Sequence, residues 1–251
     1  MAVIHLEFGS EKLGMKTRAN VVLPEKPTQK LQTLLLFHGL GDDENSWLEQ
    51  TNLISAVNDM QLAVIMPRVD KSYYTNTLSG MNYFDYVSEE LLERSRKWFP
   101  LSTAREDNFV GGVSMGGFGA LKTGLTYPEK FSAILAFSAM TDQLTQWGRH
   151  PEREAWYRDL FGSPSQIKDS VNDLASLLSK QDPNLVPFIW QLCGTEDPFY
   201  EMNQKFANLM SEKKVAHQTL EVPGAHEWSV WRQGIEQAME FLKTRTTNNI
   251  N

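Results

Sequence analysis

The 251-residue chain carries 31 acidic against 24 basic side chains and a formal net charge of −7, with no Lys/Arg cluster, which argues against a nucleic-acid partner held by phosphate contacts. With 41% hydrophobic and 22% charged residues and one cysteine, Cys193, it reads as a single soluble α/β domain with no internal disulfide and no cysteine-rich metal site. The opening MAVIHLEFGSEK has no basic segment leading an apolar run, and no stretch approaches membrane-spanning length, so a cytoplasmic protein is expected.

Apolar runs alternate with amphipathic ones along the chain. Residues 3–8 (VIHLEF) and 18–23 (RANVVL), separated by a glycine-containing turn, predict an antiparallel pair. Residues 31–39 (LQTLLLFHG) and 62–67 (LAVIMP) are nearly continuous apolar runs, as strands buried on both faces require, and 46–60 between them has helical character. Over 82–99 the spacing puts Tyr83, Val87, Leu91 and Leu92 on one face and charges on the other, which predicts one helix. A strand over 108–112, a helix over 115–127 stopped by Pro128 and a strand over 132–138 follow. The last third alternates strand 187–194, helix 198–213, strand 217–222 and helix 227–244. This rhythm predicts a mostly parallel sheet of about eight strands with helices on both faces. Residues 139–185 break it, with Trp147, Trp156, Tyr157 and Phe161 set among prolines, glycines and charges. They are expected as a cap-like insertion over the active end of the sheet, within one domain spanning 1–251. The tail 244–251 (TRTTNNIN) is expected to fray.

Five glycines crowd the eleven residues 109–119, around Gly112-Val113-Ser114-Met115-Gly116. This is the G-x-S-x-G pattern, in which a serine sits on a sharp strand-to-helix turn and small neighbours let the backbone segments approach. An apolar strand leads into Ser114 and a helix leads out. No G-K-[ST] follows and no G-x-G-x-x-G spacing is present, so neither a phosphate loop nor a dinucleotide loop is read here.

A serine hydroxyl is a weak nucleophile that needs an adjacent base, itself oriented by a third group. In the strand–turn–helix setting the chain order is Ser, Asp/Glu, His. His5 and His38 precede Ser114, His150 lies in the irregular insertion and His217 opens a strand, which leaves His226 in the loop VPGAHEW after the last strand. Loops at the C-terminal ends of parallel strands are where α/β sites are built. The segment LCGTEDPFY after the preceding strand offers Asp197, with Glu196 as the alternative acid; Asp-Pro is also an ordinary helix start. Acyl transfer further needs donors for a developing oxyanion. The Met115 N–H follows the nucleophile, and the third strand ends in His38-Gly39-Leu40, where the Leu40 N–H is the second candidate.

Taken together, LLLFHGLGDDENSW, GGVSMGGFGALK, LCGTEDPFY and GAHEWSVWR resemble the esterase D / tributyrin esterase family of α/β-hydrolases, which includes S-formylglutathione hydrolases and is akin to feruloyl and mycolyl-transferring enzymes. The likeness runs in order through nearly the whole chain, including residues 72–91 and 127–138. It implies an α/β-hydrolase fold and a cofactor-free, metal-free serine esterase for short-chain acyl esters. The family's nucleophile, acid and base fall on Ser114, Asp197 and His226. It also implies a homo-oligomer, dimer or tetramer. Two departures weigh against a glutathione-thioester substrate: the acidic run GDDENSW after His38-Gly39-Leu40, and the absence of that branch's cysteine near this loop.

Trp47, Tyr73, Tyr74 and Trp228 lie on segments leading toward the active end and are candidate pocket walls, with Trp147, Trp156 and Tyr157 as a possible roof. Cys193, in a buried strand, is read as inert packing. Three functions fit: a short-chain carboxylesterase, a thioesterase or acyltransferase with the same three residues, and a non-catalytic binding protein. An intact serine, acid and histidine speak against the last.

Overall fold

The computed structural model describes residues 1–248. Eight strands, β1 (Ala2–Ser10), β2 (Met15–Leu23), β3 (Gln32–Phe37), β4 (Leu62–Pro67), β5 (Asn108–Val113), β6 (Ala133–Phe137), β7 (Phe188–Gly194) and β8 (His217–Val222), form one sheet in the order β1-β2-β4-β3-β5-β6-β7-β8. β2 runs antiparallel to both β1 and β4, and every other neighbouring pair is parallel. β3, β4, β5 and β6 are buried along their whole length, as their nearly continuous apolar sequences anticipate, whereas edge strand β1 alternates exposed and half-buried positions.

The pleat sorts the strand residues into two cores. Leu35, Phe37, Ala63, Ile65 and Val110 face one; Leu34, Leu36, Val64, Met66 and Phe109 face the other. Burial of each such large side chain contributes about 1.5–3 kcal/mol. The second core is covered by α1 (Ser46–Gln50), α2 (Leu53–Ala56) and the C-terminal helix. The helix expected over 46–60 is therefore split. Thr51 breaks it, its hydroxyl donating to Trp47 O at 2.5 Å and accepting from Leu53 N–H at 3.2 Å.

The first core is covered by a segment that begins as the short α3 (Tyr83–Asp85), widens into a π turn over Tyr86–Glu90 and continues as α4 (Leu91–Trp98). The single helix expected over 82–99 is thus interrupted. The interruption coincides with Glu90, which turns inward to accept the N–H groups of Glu11 and Lys12 at 2.8 and 3.1 Å. The helix after β5, α5 (Met115–Thr126), covers the same core. So do the insertion helices α6 (Gln143–Arg149), α7 (Glu154–Phe161), α8 (Pro164–Ile167) and α9 (Leu174–Ser179), and α10 (Tyr200–Glu212). The last helix, α11 (Trp228–Asn248), runs through most of the tail expected to fray; residues 249–251 lie outside the described residues. Helices on both faces of a mostly parallel eight-stranded sheet make this an α/β-hydrolase fold.

The strand order positions the site. From β3 the chain steps outward to β4 and then crosses back to β5 on the other side of β3. The loops leaving the C-terminal ends of β3 and β5 therefore diverge, and the crevice between them is where open parallel sheets bind ligands.

Candidate active site

Ser114 leaves β5 with φ +57° and ψ −113°, a backbone region that non-glycine residues rarely occupy. The turn is pinned on both sides, because Ser114 N–H donates to Phe137 O at 2.9 Å and Ser114 O accepts from Met140 N–H at 3.1 Å. The flanking glycines are there because the backbones touch. A Cβ on Gly116 would lie 2.6 Å from His38 O and on top of the Phe37 carbonyl; one on Gly112 would run into Gly116. The result is a serine side chain held at the crevice between β3 and β5, and the residue itself is 9% exposed.

His226 follows β8 in a loop that folds back on the β7 loop. Glu196 N–H donates to Gly224 O at 3.0 Å, and Gly194 has no room for a side chain because the Gly224 and Ala225 carbonyls press against it. This packing delivers His226 Nδ1 to Asp197 Oδ2 at 2.8 Å, and His226 Nε2 to Ser114 Oγ at 2.9 Å. Asp197 uses its other oxygen to accept Phe199 N–H at 2.7 Å, so it serves the imidazole and the helix approach together. Of the two candidate acids, the structure brings Asp197 to the imidazole, its side chain fully buried, and leaves Glu196 exposed. A carboxylate at Nδ1 places the proton there, which turns the Nε2 lone pair toward the serine hydroxyl.

The third element is the turn after β3. A Cβ on Gly39 would sit 3.7 Å from Ser114 Cβ, so the turn borders the serine at Gly39. His38 is buried, with Nδ1 against Gly39 O at 2.8 Å and Nε2 accepting Val69 N–H at 3.2 Å. Burial pushes its pKa down and so favours the neutral ring, and because Gly39 O can only accept and Val69 N–H can only donate, the ring proton sits on Nδ1. A peptide unit is planar, so holding Gly39 O also holds the Leu40 N–H on the opposite side of that unit. Met115 is the first residue of α5, ahead of any intrahelical acceptor, and its N–H is free to face a ligand. The Ser114 hydroxyl, the His226 imidazole and the Asp197 carboxylate thus lie in one hydrogen-bonded line at one end of the sheet, beside the start of α5 and the turn after β3.

The Esterase family model matches residues 10–242. This chain belongs to that esterase family. It is 30% identical to an acetyl esterase of Caldicellulosiruptor saccharolyticus over 96% of this chain and 98% of that one. Two Staphylococcus aureus structures share its fold with TM-scores of 0.87, each covering 96% of this chain and 98% of its own. They are the substrate-bound fluorophosphonate-binding serine hydrolase FphF, 32% identical, and the S-formylglutathione hydrolase FrmB, 33% identical. A ferulic acid esterase at 21% identity and TM-score 0.83 repeats the fold. The protein is accordingly a serine esterase.

The esterase corrects part of the expected pocket. Trp47, Tyr73 and Tyr74 are 1%, 2% and 0% exposed and pack within the two cores instead of forming an open wall. The same holds for Trp147 and Tyr157, which fasten the insertion to the body: Tyr73 meets Tyr157 and Phe161 edge-on at 6.2 and 5.8 Å. Their area is worth more against this core than over solvent. Trp228 is half-buried, edge-on to Trp47 at 5.3 Å. Two residues that sequence reasoning passed over bracket the base. The rings of Phe199 and Trp231 each stand 4.9 Å from the His226 imidazole, nearly perpendicular to it. Their signal was faint: one aromatic two places after the acid, another one turn into the helix that follows the histidine.

Two carboxylates, Asp42 and Asp43, follow the β3 turn. Burial, reinforced by the Asp43 carboxylate, holds Asp42 above the usual carboxylate range, and its Oδ2 is 3.1 Å from the position of a Gly39 Cβ. Burial, with Asp197 nearby, pushes the Cys193 thiol up to about 12. No cluster of three or more His, Cys, Asp and Glu able to hold a metal occurs among the described residues, nor any helix long and apolar enough to cross a membrane.

Proposed function

We propose that the esterase hydrolyses short-chain acyl esters, acetyl to butyryl, on simple alcohols or acetylated sugars, through an acyl-enzyme on Ser114. The observation that carries this is the line from Asp197 Oδ2 to His226 Nδ1 at 2.8 Å and from Nε2 to Ser114 Oγ at 2.9 Å. His226 takes the hydroxyl proton as Oγ attacks the ester carbonyl, and Asp197 stabilises the imidazolium. The Leu40 and Met115 N–H groups receive the oxyanion; collapse expels the alcohol, which takes the proton from His226. Water, deprotonated by the same imidazole, then attacks the acyl-enzyme and releases the acid. The sequence draws only on groups of this chain.

The acetyl esterase relative, aligned over nearly both full lengths, supports an acetyl-sized acyl group. A thioesterase reading is favoured by the likeness to FrmB, an S-formylglutathione hydrolase. The acidic loop weighs against it, because Asp42 and Asp43 beside Gly39 oppose an anionic glutathione leaving group. A half-buried Trp228 is retained as a candidate wall for the alcohol side. A cytoplasmic dimer or tetramer completes the reading.

The test is a panel of p-nitrophenyl esters from acetyl to dodecanoyl, with S-formylglutathione, on wild type and Ser114→Ala. Highest kcat/KM on the acetyl to butyryl esters, abolished in Ser114→Ala, is expected. Preference for the thioester moves the enzyme to the second reading, and turnover surviving in Ser114→Ala ends the mechanism.

A further inference from the structure

Trp47 and Tyr74 do not wall the pocket; their polar ends converge on the backbone beside Ser114. Three consecutive carbonyls at the end of β3 each accept a side-chain hydrogen bond. Phe37 O takes Trp47 Nε1–H at 3.0 Å, His38 O takes the Tyr74 hydroxyl at 3.0 Å, and Gly39 O takes His38 Nδ1–H at 2.8 Å. All three donors are 1% exposed or less, so water does not compete for these carbonyls.

The Tyr74 bond is made at a cost in backbone strain. Tyr73 and Tyr74 both sit at φ +50°, where non-glycine residues lose of the order of 1 kcal/mol or more. Such a conformation persists only where its surroundings impose it, and here they do. The Tyr74 ring stacks on Phe37 with centroids 4.5 Å apart, and it fills the place where a side chain on Gly119 would stand. Lys122 Nζ donates to Tyr74 O at 3.0 Å and Thr75 Oγ1 donates to Tyr73 O at 3.0 Å. Gly119 and Lys122 belong to α5, the helix that opens with Met115. One helix therefore carries one oxyanion donor and clamps the residue that holds the loop of the other.

We propose that Tyr74 is a positioning residue for the oxyanion site: its hydroxyl fixes the His38–Gly39 peptide, and through it the direction of the Leu40 N–H, while Trp47 steadies the same loop one residue earlier. This rests on the reading of Ser114 as nucleophile and Leu40 N–H as donor. A loop aimed in this way matters most when charge develops on the substrate oxygen, and least when the neutral ester binds.

The test is Tyr74→Phe, with Tyr86→Phe as the control that deletes another buried hydroxyl from the same core. With p-nitrophenyl acetate, Tyr74→Phe should lower kcat about 10- to 100-fold while KM stays within about twofold, since only the transition state loses a contact. Inhibition by phenylboronic acid, whose tetrahedral adduct on Oγ puts an oxygen into the oxyanion site, should weaken by a similar factor. Tyr86→Phe should change neither. Wild-type kcat in Tyr74→Phe beside an inactive Ser114→Ala overturns this proposal alone, as does an equal loss in Tyr86→Phe. Activity in Ser114→Ala removes the underlying reading instead. If Tyr74→Phe gives no cooperative melt, Trp47→Phe carries the test with the same outcomes.

Discussion

His226 Nε2 stands 2.9 Å from Ser114 Oγ although the two residues are 112 positions apart in the chain. Neither residue is placed by its neighbours in sequence alone. The serine is lifted by the close approach of β5, α5 and the β3 turn; the histidine is delivered by the β8 loop folding over Gly194, with Phe199 and Trp231 on two sides of its ring.

Asp197 sets the tautomer on which that 2.9 Å contact depends. Asp197→Asn keeps the shape but offers His226 an amide, and kcat should fall on the order of 10,000-fold. Glu196→Ala, altering an exposed neighbour, should leave kcat within about twofold. Steady-state kinetics on the purified variants decide between them; the reverse pattern would make Glu196 the acid.

Gly116 is required by contact rather than by flexibility. In Gly116→Ala the new Cβ meets the carbonyls of Phe37 and His38, the backbone from which the loop of the proposed oxyanion site starts. Overpacking of this kind costs about 1–3 kcal/mol. Urea unfolding should show a lower midpoint, accompanied by loss of kcat. An unchanged midpoint would mean that the two backbones separate without penalty.

Cys193 should behave as a hydrocarbon. Its thiol is pushed up to about 12 by burial, with the Asp197 carboxylate adding to the shift, so almost no thiolate exists at neutral pH. Iodoacetamide should leave the native enzyme unlabelled by intact-mass measurement and fully active, and should label it after denaturation. Rapid native labelling with inactivation would contradict this placement.

Lys122 should give the fold a pH dependence. Burial pulls its amine down to about 7 from an ordinary value of 10.5, so the unfolded chain holds a proton there that the folded chain sheds. Stability therefore rises with pH between about 7 and 10.5, and the destabilising contribution is full below 7. Compared with Lys122→Met, wild type should gain stability in denaturant titrations moved from pH 7 to pH 9.5. Parallel behaviour of the two proteins would place the shift elsewhere.

Much of this architecture is legible in the sequence. Runs such as LAVIMP declare strands buried on both faces because no polar residue interrupts them, and elimination among five histidines leads to His226 because chain order and loop position are sequence properties. What was not legible depends on direction. Tyr73 and Tyr74 lie on a segment that leads to the site, yet their positive φ turns the rings inward, and no local residue pattern announces it. The π turn at Tyr86–Glu90 coincides with Glu90 reaching a strand end some eighty residues away, a tertiary contact that overrides a regular amphipathic helix. The break at Thr51 comes from its hydroxyl bonding backbone on both sides, which the helical periodicity of 46–60 does not show.

The nucleophilic role of Ser114 is tested most directly by intact-protein and peptide mass spectrometry after reaction with a fluorophosphonate ester. One phosphonyl adduct per chain, mapped to Ser114, formed as activity is lost and absent from Ser114→Ala, is expected. An adduct on any other residue that abolishes activity, or full labelling of Ser114→Ala, would contradict it.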